Sequence, residues 1–337
     1  MRNPTRRLFT EYEATVARLN GVDRVDRKFN VAPSVQQTLE TRIQESSEFL
    51  QRINIIGVPE MEGEKVGLGV SGPVASTTDT TEKERETSDL STLDRRRYRC
   101  EQTNSDTHIS YQRLDIWAKF KDFQTRLRDA ILRRQALDRI TIGFNGVKRA
   151  ATSNRTANPL LQDVSRGWLQ LLREDAPERV MRGTGDDGAL VVGKGNSPQY
   201  ATLDALVFDL CNSMIAPWHA EDPDLVVICG RQLLADKYFP LVNKDREPSE
   251  RLAADLIMSQ KRIGNLPAIR VPFMPPNTLL VTRLDNLSIY WQESSRRRTI
   301  VDNPRRDRIE NYESSNDAYV IEDLECVAMA ENIELVE

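Results

Sequence analysis

Residues 269–291, "IRVPFMPPNTLLVTRLDNLSIYW", decide how this chain folds. They are among its most apolar residues, yet they hold no histidine or cysteine and a single acid, Asp285. Pro272, Pro275 and Pro276 break the stretch into short segments, and Asp285-Asn286 marks a turn between strands. Enzymes commonly place reactive side chains at the ends of such strands. Strands this apolar, with nothing reactive beside them, suit a protein that builds surfaces.

Working outward, the flanking segments alternate between helix and strand. Upstream, "ATLDALVFDLCNSMIAPW" (201–218) predicts an apolar helix, and "DPDLVVICG" (222–230) a turn followed by a buried strand. "RQLLADKYFPLV" (231–242) and "SERLAADLIMSQ" (249–260) predict two further helices. Downstream, residues 306–335 predict long strands and a terminal β element, almost purely acidic from Glu310 onward. Before these lies a loop-rich region. Ahead of it, Trp117, Phe120, Phe123, Leu127, Ile131 and Leu137 keep a helical stripe over residues 112–140. A rod of that length measures about 40 Å. Residues 53–110 turn from β-rich to Gly-rich to a Thr/Ser/Glu tract, which predicts a long two-stranded excursion with too little to bury on itself.

The N-terminal punctuation is clear. Asn3-Pro4 starts a helix and Asn20-Gly21 stops it, with Phe9, Tyr12, Val16 and Leu19 on one face. A second helix opens at Pro33 with Val35, Leu39, Ile43 and Leu50 as its stripe, after a charged link. Two readings stand: ordinary amphipathic helices on their own core, or a detachable arm.

Composition narrows the classes. With 337 residues and 39% hydrophobic content, the chain can build one large core or two ordinary ones. No window approaches the roughly 20 apolar residues of a membrane span. The N-terminus lacks the apolar segment of an export signal, so cytosolic synthesis is expected. The net charge of −4 argues against a general nucleic-acid coat. Cys100, Cys211, Cys229 and Cys326 lack metal-site spacing and read as reduced, buried thiols. His108 and His219 are the only histidines, and no nucleophile–base–acid set emerges.

Three motifs tempt. "GLGVSG" (Gly67, Gly69, Gly72) matches a dinucleotide fingerprint by letters, but Pro73 and Ser/Thr follow where a helix must begin. "GALVVGKG" (188–195) resembles a phosphate loop, yet Gly195 replaces the magnesium-binding hydroxyl and Pro198 interrupts the helix. Gly230-Arg231, between a buried strand and a helix, could hold an anion, but with no second glycine or polar cluster beside it packing is the favoured reading. The arginine runs 95–99 and 296–298 suit intersubunit salt bridges as well as nucleic acid.

Five long colinear segments, 45–80, 114–150, 222–244, 259–276 and 308–324, closely resemble the P2 family of tailed-phage major capsid proteins. The resemblance implies an α+β, HK97-like fold: N-terminal arm (1–52), extended β E-loop (53–110), P-domain with a long spine helix (111–200), axial A-domain (201–285) and return strands to the P-domain (286–337). It implies a coat protein, not an enzyme, that assembles as hexamers and pentamers around double-stranded DNA without sequence specificity. The implied partners are further copies of itself, an internal scaffolding protein and protease, and a portal protein, with no membrane and no cofactor or metal. By the same resemblance, residues 1–29 engage the scaffold through Phe9, Tyr12, Val16 and Leu19 and are cut off near Phe29-Asn30. Its expected place is the virion capsid, and the host cytoplasm during assembly. The alternatives are an α/β nucleotide- or phosphate-binding enzyme and the shell of an encapsulin-like compartment.

Overall fold

The apolar stretch 269–291 divides its strands between two sheets. In the computed structural model, which describes residues 1–65, 75–85, 87, 97–120, 122–183, 188–194, 198–242 and 261–336, strand Leu279–Arg283 joins one sheet and strand Leu287–Gln292 another. A short 3₁₀ turn at Leu284–Asn286 separates them, where the Asp-Asn pair predicts one. The chain forms two compact units: 1–63, 99–166 and 288–319, and 64–98, 167–287 and 320–337. Residues 167–200 and 320–337 therefore group with the second unit.

The first unit is built on a seven-stranded sheet whose main path runs Phe29–Asn30, Arg297–Asn303, Arg308–Ile321, Leu287–Gln292 and Asn54–Val58. Strand Leu287–Gln292 is buried along nearly its whole length and pairs in parallel with Asn54–Val58, Ile289 opposite Ile55. Five consecutive buried positions, with Ser288 the one polar residue among them, fit a strand covered on both faces. The long strand Arg308–Ile321 also pairs with Glu101–Asn104 and Thr107–Ser110.

Helix Asn3–Asn20 begins with proline in its first turn and ends at Gly21, whose φ of 63° is the left-handed cap that glycine supplies freely. Helix Pro33–Glu45 starts at its proline, but its inner face is Gln36, Glu40 and Ile43, with Val35 and Leu39 half-buried. Leu50 belongs to a separate short helix, Glu48–Arg52.

The single rod expected over 112–140 is two helices, Tyr111–Trp117 and Phe123–Asn145. Apolar periodicity continues through the break, where Trp117 and Phe120 are exposed. The second helix measures about 34 Å at 1.5 Å per residue. It buries Leu132, Ala136, Ile140 and Phe144 along with Gln135 and Arg139, while Leu127, Ile131 and Leu137 are half-buried.

The second unit centres on a six-stranded mixed sheet ordered Arg262–Ile263, Leu266–Arg270, Leu225–Cys229, Leu279–Arg283, Val327–Ala330 and Val180–Met181. Every residue of Leu225–Cys229 is buried. Helix Leu203–Met214, capped by the Thr202 hydroxyl accepting from the Ala205 N–H at 3.2 Å, packs Leu206, Val207 and Leu210 onto the core. Strand Leu190–Gly193 pairs in parallel with Ile333–Val336, which accounts for the apolar letters of the phosphate-loop look-alike. The "GLGVSG" stretch, Arg95, Arg96, the helix expected at 249–260 and residues 66–74, 86 and 88–96 of the 53–110 excursion lie outside the described residues.

Candidate functional site

Reactive groups are few and well sheltered. All four cysteines are buried and free; burial, with Asp317 and Glu101 nearby, pushes the Cys100 thiol up to about 12. Burial raises Cys211, Cys229 and Cys326 to about 11. Thiols held that high are weak nucleophiles at neutral pH. His219 Nε2 lies 3.1 Å from Asp323, while His108 is exposed. Among the described residues no group of three His, Cys, Asp or Glu side chains could hold a metal. At Gly230 an added Cβ would meet the Pro275 carbonyl oxygen at 3.2 Å and Pro276 Cα at 3.3 Å. A side chain there would press on that backbone, which explains the glycine.

Surfaces are the richer feature. The arm helix turns Phe9 and Val16 into a cluster with Val25, Phe29, Val31, Leu114, Ile300 and Ile309. Tyr12 is half-buried and accepts a hydrogen bond from Arg298 Nη2 at 2.8 Å, while Leu19 is 56% exposed. The arm is further tied by Arg2 N–H to Asp115 at 2.9 Å, Arg6 to Asp302 at 3.3 Å, and Ile300 N–H to the Val25 carbonyl at 2.8 Å. Three of the four residues of the arm stripe are thus engaged by the chain's own sheet.

Phe29 and Asn30 form a two-residue edge strand, opposite Arg298 and Arg297. Phe29 is buried and Asn30 exposed. The charged link leads into sheet pairing here, not into an open hinge.

Of the spine stripe, Trp117 and Phe120 point to solvent at 39% and 54% exposure, Phe120 stacking near the Arg126 guanidinium. The Phe123 side chain lies outside the described set. Leu127 and Ile131 line a groove beside the arm helix. In the second unit, Phe208 and Trp218 are also exposed.

The "RRR" run proves to be three residues with three tasks. Arg297 is exposed; Arg298 donates to Asn311 Oδ1 at 2.6 Å and to Tyr12; Arg296, 2% exposed, enters a buried network. Arg296 Nε donates to Glu313 at 2.7 Å, Nη1 to Glu40 at 2.7 Å, and Nη2 to Gln135 at 2.9 Å. Arg139 donates to the other Glu40 oxygen at 2.6 Å and to Asp317 at 2.9 Å. Three carboxylates thus face two guanidiniums. Burial raises Glu40, but Arg139 and Arg296 together bring it below its ordinary value. Burial likewise raises Glu313, and Arg296 and Arg298 bring it below. At Asp317, burial and the adjacent Glu40 outweigh Arg139, and the carboxyl is pushed up. Sequence reasoning missed this network. Its one local signal is the polar pair Gln36 and Glu40 on the inner face of the Pro33–Glu45 helix.

Comparison with known proteins agrees with this arrangement. Residues 8–333 match the family model "Phage major capsid protein, P2 family". The chain is 56% identical to "Capsid proteins" of Escherichia phage P2, over 99% of this chain and 96% of that one. It is 42% identical to the "Major capsid protein" of Serratia phage KSP20, over 99% and 97%. Among solved structures it is similar to a chain of the satellite phage P4 procapsid with its size determination (Sid) protein. There the TM-score is 0.83 and the identity 52%, covering 100% of this chain and 99% of that one. The capsid of an empty GTA particle shares the fold at a TM-score of 0.51 and 14% identity, covering 86% and 90%. With its HK97-like α+β fold and its shell-forming function, this chain belongs to the P2 family of phage major capsid proteins.

Proposed function

We propose that this chain closes, as hexamers and pentamers, into the icosahedral head that encloses phage double-stranded DNA, and that it carries out no catalysis. The observation that supports this most strongly is the end-to-end likeness, at a TM-score of 0.83, to a procapsid chain. In such a protein function is contact area, and many modest interfaces repeated by symmetry yield a stable closed shell. The first unit serves as the peripheral domain with its spine helix and the second as the axial domain. Of residues 53–110, the strands Asn54–Val58, Glu101–Asn104 and Thr107–Ser110 stay in the chain's own sheet, and the excursion between Val58 and Glu101 reaches across a neighbouring copy. Exposed Trp117, Phe120, Phe208 and Trp218 are suited to anchor these contacts.

Residues 1–29 engage an internal scaffolding protein and are then cut off by its protease near Phe29-Asn30. Because these two residues pair with Arg298 and Arg297, the scissile bond must first leave the sheet edge. Val31 N–H also donates to the Arg296 carbonyl at 2.9 Å and Phe29 is buried, so cleavage is coupled to a local opening of this edge. Loss of the scaffold contact then helps make shell expansion irreversible. The portal and the packaged DNA are the remaining partners, and assembly takes place in the host cytoplasm.

Two measurements test this. Electron microscopy of the chain co-expressed with its scaffold should show closed shells. Intact-mass analysis of mature particles should show a subunit shortened by the arm; a subunit beginning at Met1 rules out the cleavage.

A further inference from the structure

Residues 24–31 look open from their side chains and are shut by their backbone. Arg24, Asp26, Arg27, Lys28 and Asn30 are exposed, whereas Val25, Phe29 and Val31 are buried. The Ile300 N–H donates to the Val25 carbonyl at 2.8 Å, and Phe29 and Asn30 pair with Arg298 and Arg297. The Val31 N–H donates to the Arg296 carbonyl at 2.9 Å, and the Ala32 N–H to Asn20 Oδ1 at 3.0 Å. A protease takes its substrate as an extended, unpaired strand. A segment tied at this many points is therefore cut only from an opened form.

The edge that receives the segment is itself anchored from within. Arg296 is gripped at both ends: its carbonyl accepts from Val31, while its guanidinium donates to Glu313, Glu40 and Gln135 inside the buried network. Glu40 lies on helix Pro33–Glu45, which begins two residues beyond Val31. The same helix is pinned a second time by Gln36, which donates to the Gln292 carbonyl at 3.1 Å and accepts from the Ser294 N–H at 3.0 Å. Arg296 thus joins both sides of the seam, the strand that receives the segment and the helix that continues it. Its bonds to the two carboxylates are charge-assisted, which makes them stronger than neutral ones.

We propose that Arg296 is a latch: its buried network holds the receiving strand still, and the opening of residues 24–31 sets how fast the Phe29-Asn30 bond is cut. The inference rests on the reading that this bond is processed, and adds what regulates it. Processing of a free subunit is then slow until the arm is drawn away from the sheet.

Chymotrypsin cuts after phenylalanine, so it reads the same bond without any phage protease. With the full chain purified as soluble subunits, mass spectrometry follows the initial rate at which a new terminus at Asn30 appears. A synthetic peptide of residues 22–34 supplies the rate of the unpaired segment. The chain should be cut about a hundredfold more slowly than the peptide, in proportion to its open fraction. Arg296→Met should raise the chain's rate about tenfold. Arg297→Met, which changes an exposed side chain on the same strand, should leave it unchanged. Should Arg296→Met fail to fold, Gln135→Met removes one acceptor of the same guanidinium and should raise the rate about threefold. Low urea separates a latch from a general loss of stability. A local opening exposes little surface, so the variant's rate should stay flat below its unfolding transition. Asn30→Cys combined with Arg297→Cys places two thiols on directly opposed residues, within disulfide reach. Oxidising that pair should halt the cut, and reduction should restore it. Cleavage of the chain at the peptide's rate, a cut undiminished by the oxidised pair, equal rates in the Arg296 and Arg297 variants, or a rate rising steeply with urea overturns the inference. A mature subunit that still begins at Met1 would instead count against the processing reading alone.

Discussion

Replacing Arg296 by methionine separates an ionic network that holds the first unit together from one that is merely tolerated there. The substitution keeps most of the side chain's length and removes its charge. Glu40 and Glu313, 3% and 7% exposed, then share a buried site with Asp317, where Arg139 remains bonded to Glu40 and Asp317 and Arg298 still acts on Glu313. Stranding buried charge by removing one partner costs about 3–5 kcal/mol. For a domain of this size each kcal/mol lowers Tm by roughly 2–4 °C. Asp317→Asn is the control, because it removes the excess negative charge and leaves an amide able to accept from Arg139. It should cost about 1 kcal/mol or less, a substitution within one surviving hydrogen-bonded network.

The pH dependence has a definite sign. Glu40 and Glu313 are held below their ordinary values, so the stability they contribute is present above the unfolded carboxylate pKa and is lost as pH falls through their folded values. Asp317 is pushed up, so its contribution is fully present once it is protonated and is lost as pH rises through its folded value. Without Arg296, all three carboxyls should titrate higher, and the variant should recover stability as pH is lowered from neutral toward mild acid. Urea denaturation of the full chain at pH 7.5 and at pH 5.5, with thermal melts alongside, measures both effects. A deficit below about 1 kcal/mol at pH 7.5 would refute the reasoning. So would a deficit that grows on acidification, or an Asp317→Asn variant less stable than Arg296→Met.

Two further outcomes follow from buried positions. Native protein at pH 8 should react with a thiol-specific disulfide reagent far more slowly than denatured protein, which should titrate four thiols; rapid native labelling would contradict their burial. Gly230→Ala should destabilise the second unit by about 1–3 kcal/mol, because its methyl is forced against the Pro275 carbonyl. A calorimetric melt reports it, and an unchanged profile would mean that this backbone has room to move.

Much of the fold was legible in the residue order because the controlling signals are local. Pro4, Gly21 and Pro33 act within one turn, so three helix boundaries fall where they are expected. The turn at Asp285-Asn286 is equally local, and strand Leu225–Cys229 was recognisable as buried from five consecutive apolar residues. Family membership was readable too, since long colinear segments survive in one dimension.

What the chain does with its polar and half-apolar residues was decided only in three dimensions. Glu40 meets Arg139 across 99 residues and Arg296 across 256, and nothing in either neighbourhood distinguishes these arginines from solvated ones. Trp117 and Phe120 keep the helical period yet are exposed, because periodicity records a possible face and not its burial. The arm stripe is compatible in sequence with packing on its own core or with a detachable arm, and only the fold sets Phe9 and Val16 beside Ile300 and Ile309. Local propensity depends on neighbours within a turn or two, whereas burial and ion pairing depend on which distant segments the fold brings into contact.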